Sequence, residues 1–118
     1  MSYRSGVYTI RCTANGRSYI GGCRDVGARW ATHQQQLRRG IHTNEALQSD
    51  WARFGATRFV FDVVFRTPMA NVLRLESGLI RASCAHCLYN VVGVSRVDAD
   101  LCLLHRMTIE DNVRAVGL

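Results

Sequence analysis

Asn15-Gly16 is the dipeptide that restricts this chain most. Asn-Gly adopts the positive-φ backbone of a tight reversal at little cost. On one side of it lies Val7-Tyr8-Thr9-Ile10-Arg11-Cys12, and on the other Arg17-Ser18-Tyr19-Ile20-Gly21. Both runs are rich in β-branched or aromatic residues, so the spacing predicts two antiparallel strands. Gly21-Gly22 is expected to end the second strand.

The period then switches to that of a helix. Asp25 suits an N-cap and Gly40 a stop, which predicts a helix ending at about Arg39. Val26, Trp30, Gln34 and Leu37 share one of its faces; Arg29, His33 and Gln36 share another. Thr43 is expected to cap a second helix with a stripe of Ala46, Leu47, Trp51 and Phe54, and Gly55 just past its end. Phe59 to Phe65 is almost wholly apolar and β-prone, which predicts a central strand. Thr67-Pro68 is expected to open a third helix, with a cap and a proline at the first position. That helix carries Leu73, Glu76, Leu79 and Ile80 and is expected to end near Cys87, before Leu88, Tyr89 and Asn90. Thr108-Ile109-Glu110-Asp111 can start a short last helix. The order β-β-α-α-β-α predicts an α+β fold: a small three-stranded, mainly antiparallel sheet flanked by three or more helices.

A chain of 118 residues suits one hydrophobic core, not two. Its apolar runs fall short of the roughly 20 residues a membrane helix needs. No apolar stretch follows the first residues, so a secretion signal is not expected and a cytoplasmic location is. The odd cysteine count, five, agrees with reduced thiols. The net charge is +6, and all 15 basic residues are arginine. Residues 1–97 carry 13 arginines against 5 acids, whereas residues 98–118 carry 2 against 4. A basic body of guanidinium forks suits a polyanion such as nucleic acid; a solvated surface written in arginine is the competing explanation.

Gly6-Val7-Tyr8 on the first strand and Tyr19-Ile20-Gly21 on the second resemble the signature of the GIY-YIG nuclease family, with Val7 in place of isoleucine. The resemblance covers roughly residues 6–91. It implies a single nuclease domain over 1–118 and says nothing of the extension 92–118. It also implies a metal-dependent endonuclease that hydrolyses DNA, using one Mg²⁺ or Mn²⁺ per site and no small-molecule substrate. Carried over residue by residue, it makes Glu76 the metal ligand and Arg29 the holder of the scissile phosphate. His33 then orients a tyrosine or shuttles a proton, and His42 contacts phosphate or a metal-held water. Tyr8 becomes the candidate general base, Tyr19 a positioning group, and Asn90 the holder of a strand end or a catalytic side chain.

The residues agree with that assignment on their own terms. Glu76 is the only acid in the third helix, and a lone carboxylate leaves a hard divalent ion open to phosphate. Arg29 and His33, four apart, project from one helical face. An ordinary phenol titrates near 10, too high for an efficient base at neutral pH, so a cation must lower it. Arg38, Arg39, Arg53 and Arg58 form either a duplex-binding rim or a solvated face. The size fits a small free-standing nuclease of the phage or mobile-element kind. A lone site cuts one strand at a time, so a double-strand break needs a homodimer or two successive cuts. Two other functions compete. One is a nucleic-acid-binding module without catalysis. The other is an interaction domain stapled by zinc, since Cys84-x2-Cys87 with Cys102-x2-His105, and His86 nearby, has the outline of a Cys3His site.

Overall fold

The computed structural model describes residues 3–90. The elements follow the expected order: strands β1 (Gly6–Cys12) and β2 (Ser18–Cys23), helices α1 (Val26–Arg39) and α2 (Glu45–Phe54), strand β3 (Phe59–Arg66) and helix α3 (Met69–Ala82). The sheet is antiparallel throughout, in the order β2-β1-β3. The helix suggested at Thr108 and the extension 92–118 lie outside the described residues.

Local chemistry accounts for most boundaries. The hairpin turns through Gly16 at φ 75°, and the Asn15 side chain accepts from the Arg17 amide. Asp25 caps α1 by accepting from the Ala28 amide, and Gly40 closes it at φ 72°. Five expectations need correction. β2 does not end at Gly21-Gly22 but runs through them to Cys23. The cap of α2 is Asn44, not Thr43; its carboxamide accepts from the Leu47 amide. Thr67 does not cap α3, whose N-cap position is Pro68. The Thr67 hydroxyl instead accepts from Asn71, and its carbonyl from the Ser5 hydroxyl. α3 stops at Ala82 rather than near Cys87, because Ser83 turns back on it: its amide and hydroxyl both donate to the Leu79 carbonyl. Cys87 lies in a separate short turn, Ala85–Cys87. Leu73 of α3 faces solvent, 72% exposed.

The fifth correction concerns the sheet. Among the described residues β3 is an edge strand, and β1 is the centre. β3 is apolar because flanking helices shelter both of its faces. Phe61 stacks on Trp30 of α1 with centroids 4.8 Å apart, while Val64 and Phe65 pack with the α3 side. The core therefore lies in two layers. Tyr8, Ile10 and Cys12 point to the α1/α2 side with Leu37, Leu47, Trp51 and Phe59. Val7 and Ile20 point to the α3 side with Val72, Leu75 and Leu79. Alternation along β1 assigns its side chains to the two layers.

Candidate active site

Each triplet has a physical reason visible in the sheet. Gly6 lies against the Phe65 backbone, leaving no room for a Cβ. Beside it the β1–β3 register slips between Val7 and Tyr8, a bulge that re-aims the side chains around it. Gly21 and Gly22 leave β2 bare on both faces. A Cβ on Gly21 would collide with the Tyr8 phenol, and one on Gly22 would stand 2.5 Å from Glu76 Oε2 and from Val72. The phenol from the α1 side and the carboxylate from the α3 side thus lie against adjacent residues of β2, each in space that a side chain at its glycine would fill. Glycine inside a strand often marks such a close approach.

On the α1 side the polar groups form a chain. Tyr8 Oη lies 2.6 Å from His33 Nε2, and His33 Nδ1 lies 2.7 Å from His42 Nε2. The Asn44 amide donates to His42 Nδ1 at 3.0 Å. Tyr19 sits edge-on to both imidazoles, with centroids 5.3 and 6.2 Å away. Burial favours the neutral form of every member. It lowers His33 to about 4, helped by the neighbouring His42 and Arg29, and it lowers His42. It raises Tyr8 well beyond the ordinary phenol value, helped by Tyr19 and opposed by Arg29. Tyr19 is raised by burial and by Glu76, with Arg29 again opposing. Glu76, half-buried, is raised by desolvation.

The structure thus gathers Tyr8, Tyr19, His33 and His42 in one cluster and sets Glu76 beside it. Arg29 is exposed on α1 and within electrostatic reach of Tyr8, Tyr19 and His33. Asn90 is not in the cluster. Its carboxamide accepts from the Ile20 amide and donates to the Ile20 carbonyl, both at 2.8 Å. It extends the sheet by one side chain and fixes β2 between Tyr19 and Gly21. Arg38, Arg39, Arg53 and Arg58 are exposed but scattered. Arg38 and Arg39 end α1. Arg53 lies over the Phe54 ring. Arg58 holds Thr13 through its carbonyl. Its neighbour Phe59 pairs with Cys12, four residues from Tyr8, or about 13 Å along the strand.

Of the zinc outline, Cys84, Cys87 and His86 are in place around the short turn after α3, while Cys102 and His105 lie outside the described residues. Among the described residues no three His, Cys, Asp or Glu side chains come together as a metal site.

Sequence reasoning missed the supports. Gln48 accepts from the His42 amide and donates to the Leu37 carbonyl. Asn44 donates to the Tyr89 carbonyl at 2.7 Å. Asp50 accepts from the Tyr89 hydroxyl at 2.6 Å and from Asn15. The Arg17 guanidinium lies 4.5 Å over the Tyr89 ring and donates to the Leu88 carbonyl. Asn44 had a capping signal, three residues before Leu47; the partners of Gln48, Asp50 and Arg17 are distant in sequence and had none.

Comparison with known proteins gives a consistent result. The model of a family described as the GIY-YIG catalytic domain matches residues 4–90. Intron-associated endonuclease 1 of Enterobacteria phage T4 is 35% identical over 52 residues, which are 44% of this chain and 21% of that protein. The chain therefore matches about a fifth of that relative's length. Among solved structures, the catalytic domain of the homing endonuclease I-TevI superposes with a TM-score of 0.69 at 25% identity, over 75% of this chain and 99% of that one. A glutamate-to-alanine variant of that domain gives 0.68 at 24% identity, over 80% and 98%.

Proposed function

The chain belongs to the GIY-YIG catalytic-domain family, and on that premise we propose that it is an endonuclease hydrolysing DNA phosphodiester bonds with one divalent ion per site. One observation carries the reading. The Tyr8 phenol lies against Gly21 on one face of β2 and the Glu76 carboxylate against Gly22 on the other, and Tyr8 is within electrostatic reach of both Glu76 and Arg29.

Phosphodiester hydrolysis needs an activated water, a counter-charge for the phosphate and help for the leaving oxygen. Arg29 binds the phosphate by its exposed fork and offsets the charge that develops there. Glu76 holds the ion. Its pKa is raised by desolvation, and a divalent ion held there would favour the carboxylate form. When bound, Mg²⁺ or Mn²⁺ supplies positive charge to the phosphate oxygens and lowers the cost of forming hydroxide at neutral pH. Tyr8 orients the attacking water and serves as its base once nearby cations offset the effect of burial. Tyr19 packs against the imidazoles and limits where the water stands. His33 and His42 hold Tyr8, and Asn90 holds β2. Arg38 and Arg39 add positive charge for the duplex, as do Arg53 and Arg58 at the far end of the sheet.

The domain comprises the core with 92–118 as its extension, acting in the cytoplasm as a nuclease of phage or mobile-element type. A double-strand break takes a homodimer or two successive cuts. No helix among the described residues is long and apolar enough to cross a membrane.

Supercoiled plasmid with Mg²⁺ or Mn²⁺ tests the reading, comparing the protein with Glu76→Ala and with a chelator control. Nicking or linearisation that disappears in both controls is expected. A folded wild type that shifts DNA on a gel yet leaves plasmid and branched DNA intact would make the chain a binding module instead.

A further inference from the structure

His33 Nδ1 and His42 Nε2 are 2.7 Å apart, with their rings stacked at an interplanar angle of 23°. One proton fits between them, and its owner is decided at the far end of the chain of groups. The Asn44 backbone N–H points at His42 Nδ1 from 3.0 Å. An amide does not surrender its hydrogen, so Nδ1 is an acceptor. A neutral imidazole has one N–H, which places the His42 proton on Nε2, donated to His33 Nδ1. The same count places the His33 proton on Nε2, donated to the Tyr8 oxygen at 2.6 Å. A second proton on either ring would set two N–H hydrogens against each other. Burial of both imidazoles acts in the same direction, and at His42 it outweighs the Asn44 backbone contact, which favours the charged ring.

We propose that the Asn44 backbone amide sets the proton order of a His42–His33–Tyr8 relay, so that Tyr8 accepts from His33 and turns its own O–H away from it. The order itself follows from the hydrogen bonds; what the Tyr8 oxygen acts on rests on the nuclease reading. The consequence is specific. His33 is not the group that removes the Tyr8 proton. It is a donor already in place on the phenol oxygen, where it favours the phenolate that Tyr8 becomes on releasing its proton to solvent water, the form able to take a proton from the attacking water.

Asn44 and Gln48 are then positioning residues. The Asn44 carboxamide caps α2 at Leu47 and holds the Tyr89 carbonyl, which fixes where its amide points. Gln48 binds the His42 amide and the Leu37 carbonyl, 3.0 Å each, and so clamps the loop between α1 and α2.

The test reads the tautomers directly. In the full chain labelled with ¹⁵N-histidine, long-range proton–nitrogen correlation reports which ring nitrogen carries hydrogen. Near pH 7, neutral rings with hydrogen on Nε2 are expected for both His33 and His42. Hydrogen on Nδ1 of either ring, or a cationic ring, overturns the proposal. Two variants sharpen it. His42→Gln offers an amide donor near the place of Nε2, whereas His42→Leu offers none. His33 is expected to keep its Nε2 hydrogen in the first and to become a tautomer mixture in the second. An unchanged His33 signature in His42→Leu overturns the relay. Plasmid cleavage by His42→Gln is expected to exceed that by His42→Leu by about tenfold, the worth of one buried hydrogen bond. If the wild type cleaves nothing, the nuclease reading fails while the spectra still decide the proton order.

Discussion

The two faces of the sheet are built on different principles. The α3 face is aliphatic: Val7, Ile20, Val72, Leu75, Leu79 and Leu88 form its core, and Glu76 is the one acid α3 contributes. The α1/α2 face mixes Leu37, Leu47 and Trp51 with buried His33 and His42 and with Tyr8. Its polar groups are joined by directional hydrogen bonds. One face thus delivers a charge on a rigid apolar platform, and the other delivers oriented hydrogen bonds. They meet only where β2 lacks side chains. A carboxylate needs placement and little else, so shape suffices for it. An imidazole pair needs its proton order fixed, so it takes a network.

This contrast is broken most sharply at Glu76. Glu76→Gln keeps the shape and removes the charge, and the plasmid-cleavage rate is expected to fall by about three orders of magnitude, since metal charge stabilisation is worth several kcal/mol. Stability should move the other way. The folded-state pKa of Glu76 is raised, so its ionised form costs stability as pH rises past the ordinary carboxylate range. At pH 7 without metal, Glu76→Gln should therefore melt higher than the wild type; an equal or lower Tm would mean that the carboxylate is not held against burial.

On the apolar side, Leu79 is fully buried, and Leu79→Ala is expected to cost about 2–5 kcal/mol in urea unfolding. The opposite face should betray itself by pH rather than by size. His33 and His42 are lowered in the fold, so the unfolded chain binds protons first. Stability should fall as pH drops below about 6.5, the free imidazole value, and keep falling toward about 4, where folded His33 takes its proton. Replacing both histidines by glutamine should flatten that part of the curve; a curve unchanged by the double variant would deny the network its role.

The meeting line gives a smaller effect. Gly22→Ala places a methyl 2.5 Å from Glu76 Oε2 and Val72, an overpacking worth about 1–3 kcal/mol. It should also weaken Mn²⁺ binding measured by calorimetry, and full retention of binding would show that the carboxylate has room to shift. Least affected should be Leu73→Ser, on the solvent side of α3, with a change within about 0.5 kcal/mol.

Much of this was legible in the amino-acid order. Asn15-Gly16, the Asp25 and Gly40 caps and the helical spacings depend on neighbours a few residues away, and they determined the element order. The paired triplets pointed to the family, and Glu76 stood out as the only acid of its helix. Local signals failed where a distant partner chose between near-equal options. Thr43 and Asn44 are both good caps, and Asn44 was selected because its carboxamide also reaches the Tyr89 carbonyl. β3 read as central by its apolarity, yet apolarity reports coverage of faces and not pairing of edges. Sequence alone named Tyr8, His33, His42 and Glu76 as separate candidates. Only the tertiary structure decided that three of them form one ordered chain and that the fourth approaches across two glycines. Strand pairing and helix placement bring His33 to Tyr8, 25 positions away, and seat Glu76 against Gly22 on another element; no local rule encodes those contacts.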